Sequence, residues 1–236
     1  MTSNPSLRSR FARRAQRGFT LVEIAIVLVI IGLLLGGILK GQEMITQAKI
    51  KNLINDFNGL SAAMYSYQDR YRALPGDELN ANTTSRWGTN AYGGDGNGVF
   101  NRGGTNAATD VYNNAAEVPA STTSEANLFW MHLRLAGFVP GATSGIASTQ
   151  QPNNAVNGIV GVQTSGMGFT SNIICTSNLP DKVAIAVDTQ VDDGSAIRGQ
   201  VRGQLQAGPN PAAAAAAPTV EFVENGTNQY LLCKNL

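Results

Sequence analysis

Few side chains in this 236-residue sequence could do acid–base or nucleophilic chemistry. The single histidine is His132, and no hydrolase, phosphate-loop or clustered His/Cys signature accompanies it. A histidine in such a setting is ordinarily a surface residue or a capped one, and we expect this of His132. The sequence therefore predicts a protein that is not an enzyme.

Oxygen ligands for a cation occur in two places. Asp95 and Asn97 alternate with glycines between positions 92 and 98, and such oxygens suit calcium. The calcium-loop pattern is incomplete, because Val99 stands where a third Asp or Asn is expected and no glutamate closes the loop. A glycine-rich turn is favoured, with calcium at Asp95 and Asn97 as the alternative and no other cofactor expected. A second acidic group, Asp188, Asp192 and Asp193 before Gly194, also favours a turn over a metal cluster.

A further acid, Glu23, lies in an apolar run. Residues 19–39 contain no other charge, and as a helix of about 30 Å they would cross a bilayer core. Five arginines precede this run within residues 1–18, which places the N-terminus in the cytoplasm by the positive-inside rule. Everything from Lys40 onward would then face the opposite compartment.

Two ordinary explanations of this segment are incomplete. A secretory signal peptide has a shorter apolar core and a small-residue cleavage site, and neither is present. A plain single-pass anchor explains the length and the flanking charges. It does not explain Glu23, because an acid inside a spanning helix costs at least a few kcal/mol and indicates a function.

The junction Arg17-Gly18-Phe19-Thr20-Leu21-Val22-Glu23, followed by the apolar run, resembles the class III signal of type IV prepilins and type II secretion pseudopilins. The resemblance implies that a prepilin peptidase cuts between Gly18 and Phe19 and methylates the new amine of Phe19. It also implies that Glu23 attracts the cationic N-terminus of a neighbouring subunit. Opposite charges about 4 Å apart attract far more strongly in a low dielectric than in water.

The function implied is that of a filament subunit, a type IV pilin-like protein polymerised through its hydrophobic helix. Its partners would be the prepilin peptidase/methyltransferase, other copies or other pilins, and the inner-membrane assembly platform of a pilus or type II secretion system. It would sit in the inner membrane and, once assembled, in a periplasmic or extracellular filament. One alternative is a minor pilin or pseudopilin of a secretion or DNA-uptake system; a less favoured one is a membrane-tethered exported enzyme.

The elements that position these residues follow from hydrophobic periodicity. Apolar residues recur at steps of three and four up to Tyr71, which predicts one helix from about residue 19 to 72, ended by Leu74-Pro75-Gly76. The apolar first half of this helix is predicted at residues 19–39, and its amphipathic second half lies within residues 40–74. The predicted fold is α+β and pilin-like, with the long helix packed on a small antiparallel sheet in an exported head, residues 75–236.

Within the head, residues 75–123 are rich in glycine and asparagine and predict a long loop. A helix is predicted at 124–136, with Thr122 and Glu125 as a capping box. Strands are predicted at 158–163, 168–174, 182–187, 197–201, 219–223 and 229–233. The alanine-rich run at 212–217 predicts an exposed loop.

The two cysteines, Cys175 and Cys233, both follow the membrane segment. An even pair in an oxidising compartment predicts a disulfide, and a C-terminal disulfide region also resembles pilins. Two free thiols or a metal pair are the alternatives.

The formal net charge of +1 combines two unlike parts. Without residues 1–18, 12 basic and 16 acidic side chains remain, a net charge of −4. From Pro75 onward there are 7 basic and 12 acidic residues, so nucleic-acid binding, which needs a basic face, is not expected.

Overall fold

The predicted long helix is present in the computed structural model, which describes residues 19–102 and 110–236. Helix α1 spans Leu21–Tyr71 without interruption. The chain divides into two units, Met1–Ile45 and Thr46–Leu236. The proposed leader 1–18, including Gly18, and positions 103–109 of the glycine-rich segment lie outside the described residues.

In the second unit, α1 has one buried face. The predicted apolar stripe comprises Ile50, Leu53, Ile54, Phe57, Leu60, Met64, Tyr67 and Tyr71. All of these are buried except Ile54 and Tyr71, which are partly buried, and Ala63 is buried in addition. The helix ends at Tyr71, and Arg72 follows with a positive φ of 58°. The end therefore comes three residues before the Leu74-Pro75 boundary, where the chain has already left the helical region.

The sheet of the head has four antiparallel strands in the order β1-β2-β4-β3. The strands are β1 Val160–Gly166, β2 Phe169–Pro180, β3 Val201–Leu205 and β4 Gln229–Asn235. The α+β fold, with a long apolar helix and a small antiparallel sheet, is confirmed. Alternate residues of β2 and β4 face opposite sides, since Ile174 and Leu232 join the core with α1 whereas Cys175 and Cys233 join a second cluster.

Three strand predictions fail. Residues 182–187 lie in a helix, α4 (Asp181–Val191), which buries Val183, Ala184 and Val187. A short apolar run of this kind fits a buried helix as well as a strand. Residues 219–223 form no strand, and of the predicted 197–201 only Val201 is in β3.

Two further differences concern the segment before the sheet. Helix α2 (Asn80–Trp87) lies within the region predicted as loop. Helix α3 (Glu125–Leu135) confirms the predicted helix, but its N-cap is Ser124 and not Thr122. The capping box is absent because the Glu125 carboxylate accepts backbone N–H groups from Asp95 and Asn101 instead.

Candidate functional site

The apolar helix begins with a capping box. Thr20 donates both its backbone N–H (2.8 Å) and its hydroxyl (2.9 Å) to Oε2 of Glu23. In return, the Thr20 hydroxyl accepts the Glu23 N–H at 3.3 Å. The Thr-x-x-Glu spacing satisfies donors that the first helical turn leaves unpaired. Thr20 thus has a structural role that the sequence analysis missed, although this spacing could have revealed it.

The same contacts define the geometry of Glu23. Both hydrogen bonds from Thr20 reach a single oxygen, Oε2, and the side chain is exposed in the single chain. A negative charge also suits this place, because the N-terminal end of a helix carries partial positive charge. The contacts with Thr20 therefore set the orientation of the Glu23 carboxylate at the first helical turn, four residues after Phe19.

The first half of α1 presents apolar side chains to its surroundings. Leu21 is 90% exposed and Leu33 is 73% exposed, and none of the helix's most apolar window is buried. A Cβ added at Gly32, Gly36, Gly37 or Gly41 would meet nothing within 4 Å. Among residues 19–102 and 110–236 of one chain, these glycines and the most apolar part of the helix have no packing partner. This helix is the one in the described structure that is long and apolar enough to cross a membrane.

His132 is fully buried, so the expectation of a surface histidine is wrong, whereas the alternative of a capped histidine fits, because both ring nitrogens have hydrogen-bond partners. Its Nδ1 accepts the Gly76 N–H at 2.8 Å, and its Nε2 lies 2.8 Å from the carbonyl oxygen of Tyr92. This pair of partners requires the neutral tautomer with the proton on Nε2. Burial lowers the pKa of His132 to about 4. Its role in this geometry is to join two loop segments to α3.

An ion pair between the buried Glu78 and the partly exposed Arg86 lies near this histidine. Glu78 accepts the Tyr67 hydroxyl at 2.5 Å and two hydrogen bonds from Arg86, at 3.0 and 2.8 Å. The Glu78 side chain is 1% exposed and that of Arg86 is 30% exposed. The guanidinium of Arg86 also lies over the Tyr71 ring, 4.1 Å from its centroid. This cluster ties α2 to the end of α1.

The glycine-rich loop around Asp95 is organised by Asp77. The Asp77 carboxylate accepts backbone N–H groups of Gly96, Asn97 and Gly98 at 2.8 to 3.0 Å. Ligand oxygens of Asp77, Asp95 and Glu125 lie within 4.8 Å of one another. Asp77 and Glu125, whose carboxylates lie near Asp95, were not among the cation ligands predicted from the sequence.

Asn97, the other residue of the calcium hypothesis, is engaged within the loop. Its Oδ1 accepts the Val99 N–H at 2.9 Å, and its Nδ2 donates to the Asn101 carbonyl at 2.9 Å. Burial raises the pKa of Glu125 to about 7. Calcium binding at Asp95 and Asn97 stays a prediction.

Cys175 and Cys233 form a disulfide between β2 and β4, which are paired in register at these two residues. Both cysteines are fully buried. The bridge closes a sequence separation of 58 residues and lies in a cluster with Tyr112, Met167 and Leu231. The disulfide predicted from the cysteine count is present.

Comparison with known proteins identifies the N-terminal segment. Residues 13–39 match the prokaryotic N-terminal methylation motif. No curated protein matches the chain. The matched segment covers Phe19, the capping box and the apolar part of α1, and the motif together with this helix indicates a membrane-anchored protein. The chain carries the signature of type IV pilins and pseudopilins on an α+β, pilin-like fold.

Proposed function

We propose that this protein is a filament subunit that polymerises through the first half of α1. The observation that carries the proposal is an apolar helix, exposed along its whole first half, that begins with a capped glutamate inside a methylation motif. Exposed apolar surface of this extent requires a lipid or protein environment. Assembly exchanges lipid contacts for helix–helix packing, for which the small residues at Gly32 and Gly36 allow close approach.

Processing precedes assembly in this proposal. A prepilin peptidase cuts between Gly18 and Phe19 on the cytoplasmic side and methylates the amine of Phe19. The cut removes five arginines and leaves a subunit with a net charge of −4. The peptidase, other pilin subunits and the inner-membrane assembly platform are the proposed partners, and the chain itself performs no catalysis.

Glu23 sets the register between subunits. Its carboxylate, oriented by Thr20, attracts the cationic N-terminus of a neighbouring chain. Each charge alone is costly in an apolar environment, and pairing relieves both penalties. Only one axial position brings the two charges together, because Glu23 is the single charged residue between positions 19 and 39.

Mass spectrometry of the protein from its host tests this proposal. We expect a mature chain that begins with N-methylated Phe19 in the membrane and in sheared filaments. A chain that begins at Met1 or Thr2, without a methylated Phe19 species, would overturn the processing step. Processed protein that never enters filaments would overturn the assembly step.

The same preparation separates a major subunit from a minor pilin or pseudopilin. A major subunit is the dominant protein of sheared filaments, whereas a minor pilin or pseudopilin is present at a small fraction of the total. The comparison is made by quantifying the head peptides of this chain against all pilin-like peptides in the sheared fraction.

A further inference from the structure

A cleft of about 330 Å³ opens on the head where three loops meet. The loops are the one after α2, the segment before α3 and the one after α3. The cleft is lined by Asn90, Tyr92, Val118, Pro119, Ser144 and Gly145. Its volume is within the usual range of small-molecule sites, roughly 300–1,000 Å³.

The polar side chains of this cleft are not engaged by the protein. The Asn90 amide, the Tyr92 hydroxyl and the Ser144 hydroxyl form no hydrogen bond with any residue of 19–102 or 110–236. Asn90 and Ser144 are exposed, and Tyr92 is partly exposed. Since an amide and a hydroxyl can each donate and accept, the cleft offers several hydrogen bonds of both kinds to a ligand.

Apolar surface lies beside these polar groups. The Tyr92 ring belongs to neither hydrophobic cluster of the described residues, although it is partly buried. Val118 is 67% exposed, and Ile146, which follows the cleft residue Gly145, is 54% exposed. A tyrosine ring with one apolar face and one polar end suits a ligand that has both kinds of surface.

The buried guanidinium of Arg134 fixes the loop that carries Ser144. Arg134 is 9% exposed, and burial is what acts on its charge, with no described carboxylate paired to it. It donates at 2.7 to 3.1 Å to the carbonyl oxygens of Ala147, Ser148 and Gln150. The Ser148 hydroxyl in turn donates to the Gly145 carbonyl at 2.7 Å. Charge-assisted hydrogen bonds therefore hold this wall of the cleft.

The other two walls are fixed through their backbone. The Thr149 hydroxyl accepts the Glu117 N–H at 3.1 Å, which ties the segment before Val118 to the loop after α3. The Tyr92 carbonyl oxygen lies 2.8 Å from Nε2 of His132. A cleft with walls fixed in advance loses less conformational entropy when a ligand binds.

We propose that this cleft binds an uncharged saccharide. No charged side chain is among its described lining residues, whereas three larger clefts of the head include Arg72, Arg102 and Lys234. A charged ligand would find no counter-charge in it. A sugar ring combines hydroxyl groups that donate and accept with an apolar C–H face, which is the chemistry that an amide, two hydroxyls and a tyrosine ring complement.

Saturation-transfer difference NMR of the full, unassembled chain in a polyoxyethylene detergent tests this binding, because that detergent carries no sugar. The probes are the methyl glycosides of glucose, galactose, mannose and N-acetylglucosamine. We expect at least one of them to bind with a dissociation constant of roughly 1 mM, as the ligand efficiency of small ligands implies. The result is independent of polymerisation, so it does not depend on the proposed function.

Tyr92→Ala should weaken this binding about tenfold, because it removes the ring and leaves the backbone contact with His132. Asn90→Ala should weaken it roughly threefold through the loss of a hydrogen bond. Asn90 is exposed, so this variant replaces Tyr92→Ala if the latter fails to fold. Tyr65→Ala is the matched control, since Tyr65 is a 53% exposed tyrosine of α1 outside the cleft and should keep full affinity.

The proposal is overturned if no glycoside binds at up to ~20 mM, or if both Tyr92→Ala and Asn90→Ala keep the full affinity. It is also overturned if Tyr65→Ala weakens binding as much as Tyr92→Ala does. Binding of a hexaproline peptide that depends on Tyr92, without binding of any glycoside, would assign the cleft to proline-rich peptides instead.

Discussion

The Nδ1 atom of His132 accepts a hydrogen bond from the backbone N–H of Gly76 over 2.8 Å. The partner of this nitrogen is a donor, so a second proton on the imidazole would set two donors against each other. Protonation of His132 therefore breaks the contact that holds the chain just after α1 against α3.

The pKa of His132 makes stability fall in mild acid. Burial lowers this pKa to about 4, below the ordinary 6.5 of the unfolded chain. Between these values the unfolded chain binds the proton and the folded chain does not, so stability is lost as pH falls from about 6.5 to 4. The expected loss is about 3 kcal/mol between pH 7 and pH 4.

Urea unfolding of the unmodified chain and of His132→Gln at several pH values measures this loss. Glu125 and Asp188, whose pKa values burial raises to about 7, act in the opposite direction in both proteins. The difference between the two proteins therefore isolates His132. Equal pH dependence in the two proteins would contradict the assignment.

Arg86→Met should destabilise the head by about 2–3 kcal/mol. The change leaves the Glu78 carboxylate, 1% exposed, without its bidentate partner, and an uncompensated buried charge is costly. Breaking a fully buried ion pair usually costs about 3–5 kcal/mol. We expect a smaller loss here, because the Arg86 side chain is 30% exposed. The free energy of unfolding in urea measures the change.

Arg72→Met is the control for this prediction. Arg72 pairs with Asp69 at 3.7 Å, and both side chains are 83% exposed, so its loss should change stability by less than about 0.5 kcal/mol. Similar losses of unfolding free energy in the two variants would show that burial of Glu78 does not determine the contribution of its ion pair to stability.

Replacing both cysteines by alanine should cost about 4 kcal/mol. The disulfide closes a loop with a sequence separation of 58 residues. In the chain-entropy model, this cross-link stabilises the fold because it lowers the conformational entropy of the unfolded chain. The comparison is of unfolding free energies of the oxidised chain, the reduced chain and the double variant. Reduction and the double variant should have similar effects; an unchanged free energy in both would contradict the prediction.

Three substitutions at the start of α1 separate the roles of charge and cap. Glu23→Val should leave membrane insertion and processing largely intact but impair filament assembly. Glu23→Gln can retain the capping box, since glutamine also serves there, while it removes the charge. If charge pairing sets the register, Glu23→Gln is as defective in assembly as Glu23→Val, whereas Thr20→Val, which keeps the charge, is less affected.

The assay is the yield of sheared filaments relative to processed protein in the membrane. Normal yield from Glu23→Val would remove the proposed role of this residue. Normal yield from Glu23→Gln together with loss in Thr20→Val would assign the role to the cap and not to the charge.

Local patterns were sufficient for much of the fold. The stripe from Ile50 to Tyr71 predicted most of the buried face of α1, because the helical period of apolar residues is visible along one continuous segment. The strands around Val162, Ile174 and Leu232 were predicted for the same reason. The run around Val183 was assigned to the wrong element because its length and composition fit both a helix and a strand.

The sequence by itself determined the long apolar helix, the methylation motif and the α+β class, since each depends on residues close together in the chain. Only the tertiary structure decided the partners of the buried polar groups. Asp77 is bound by N–H groups about twenty residues away, His132 by the backbone of Gly76, and Asp188 by none among the described residues. Such groups are satisfied or left unsatisfied by segments brought together on folding, and no local pattern records which segments meet.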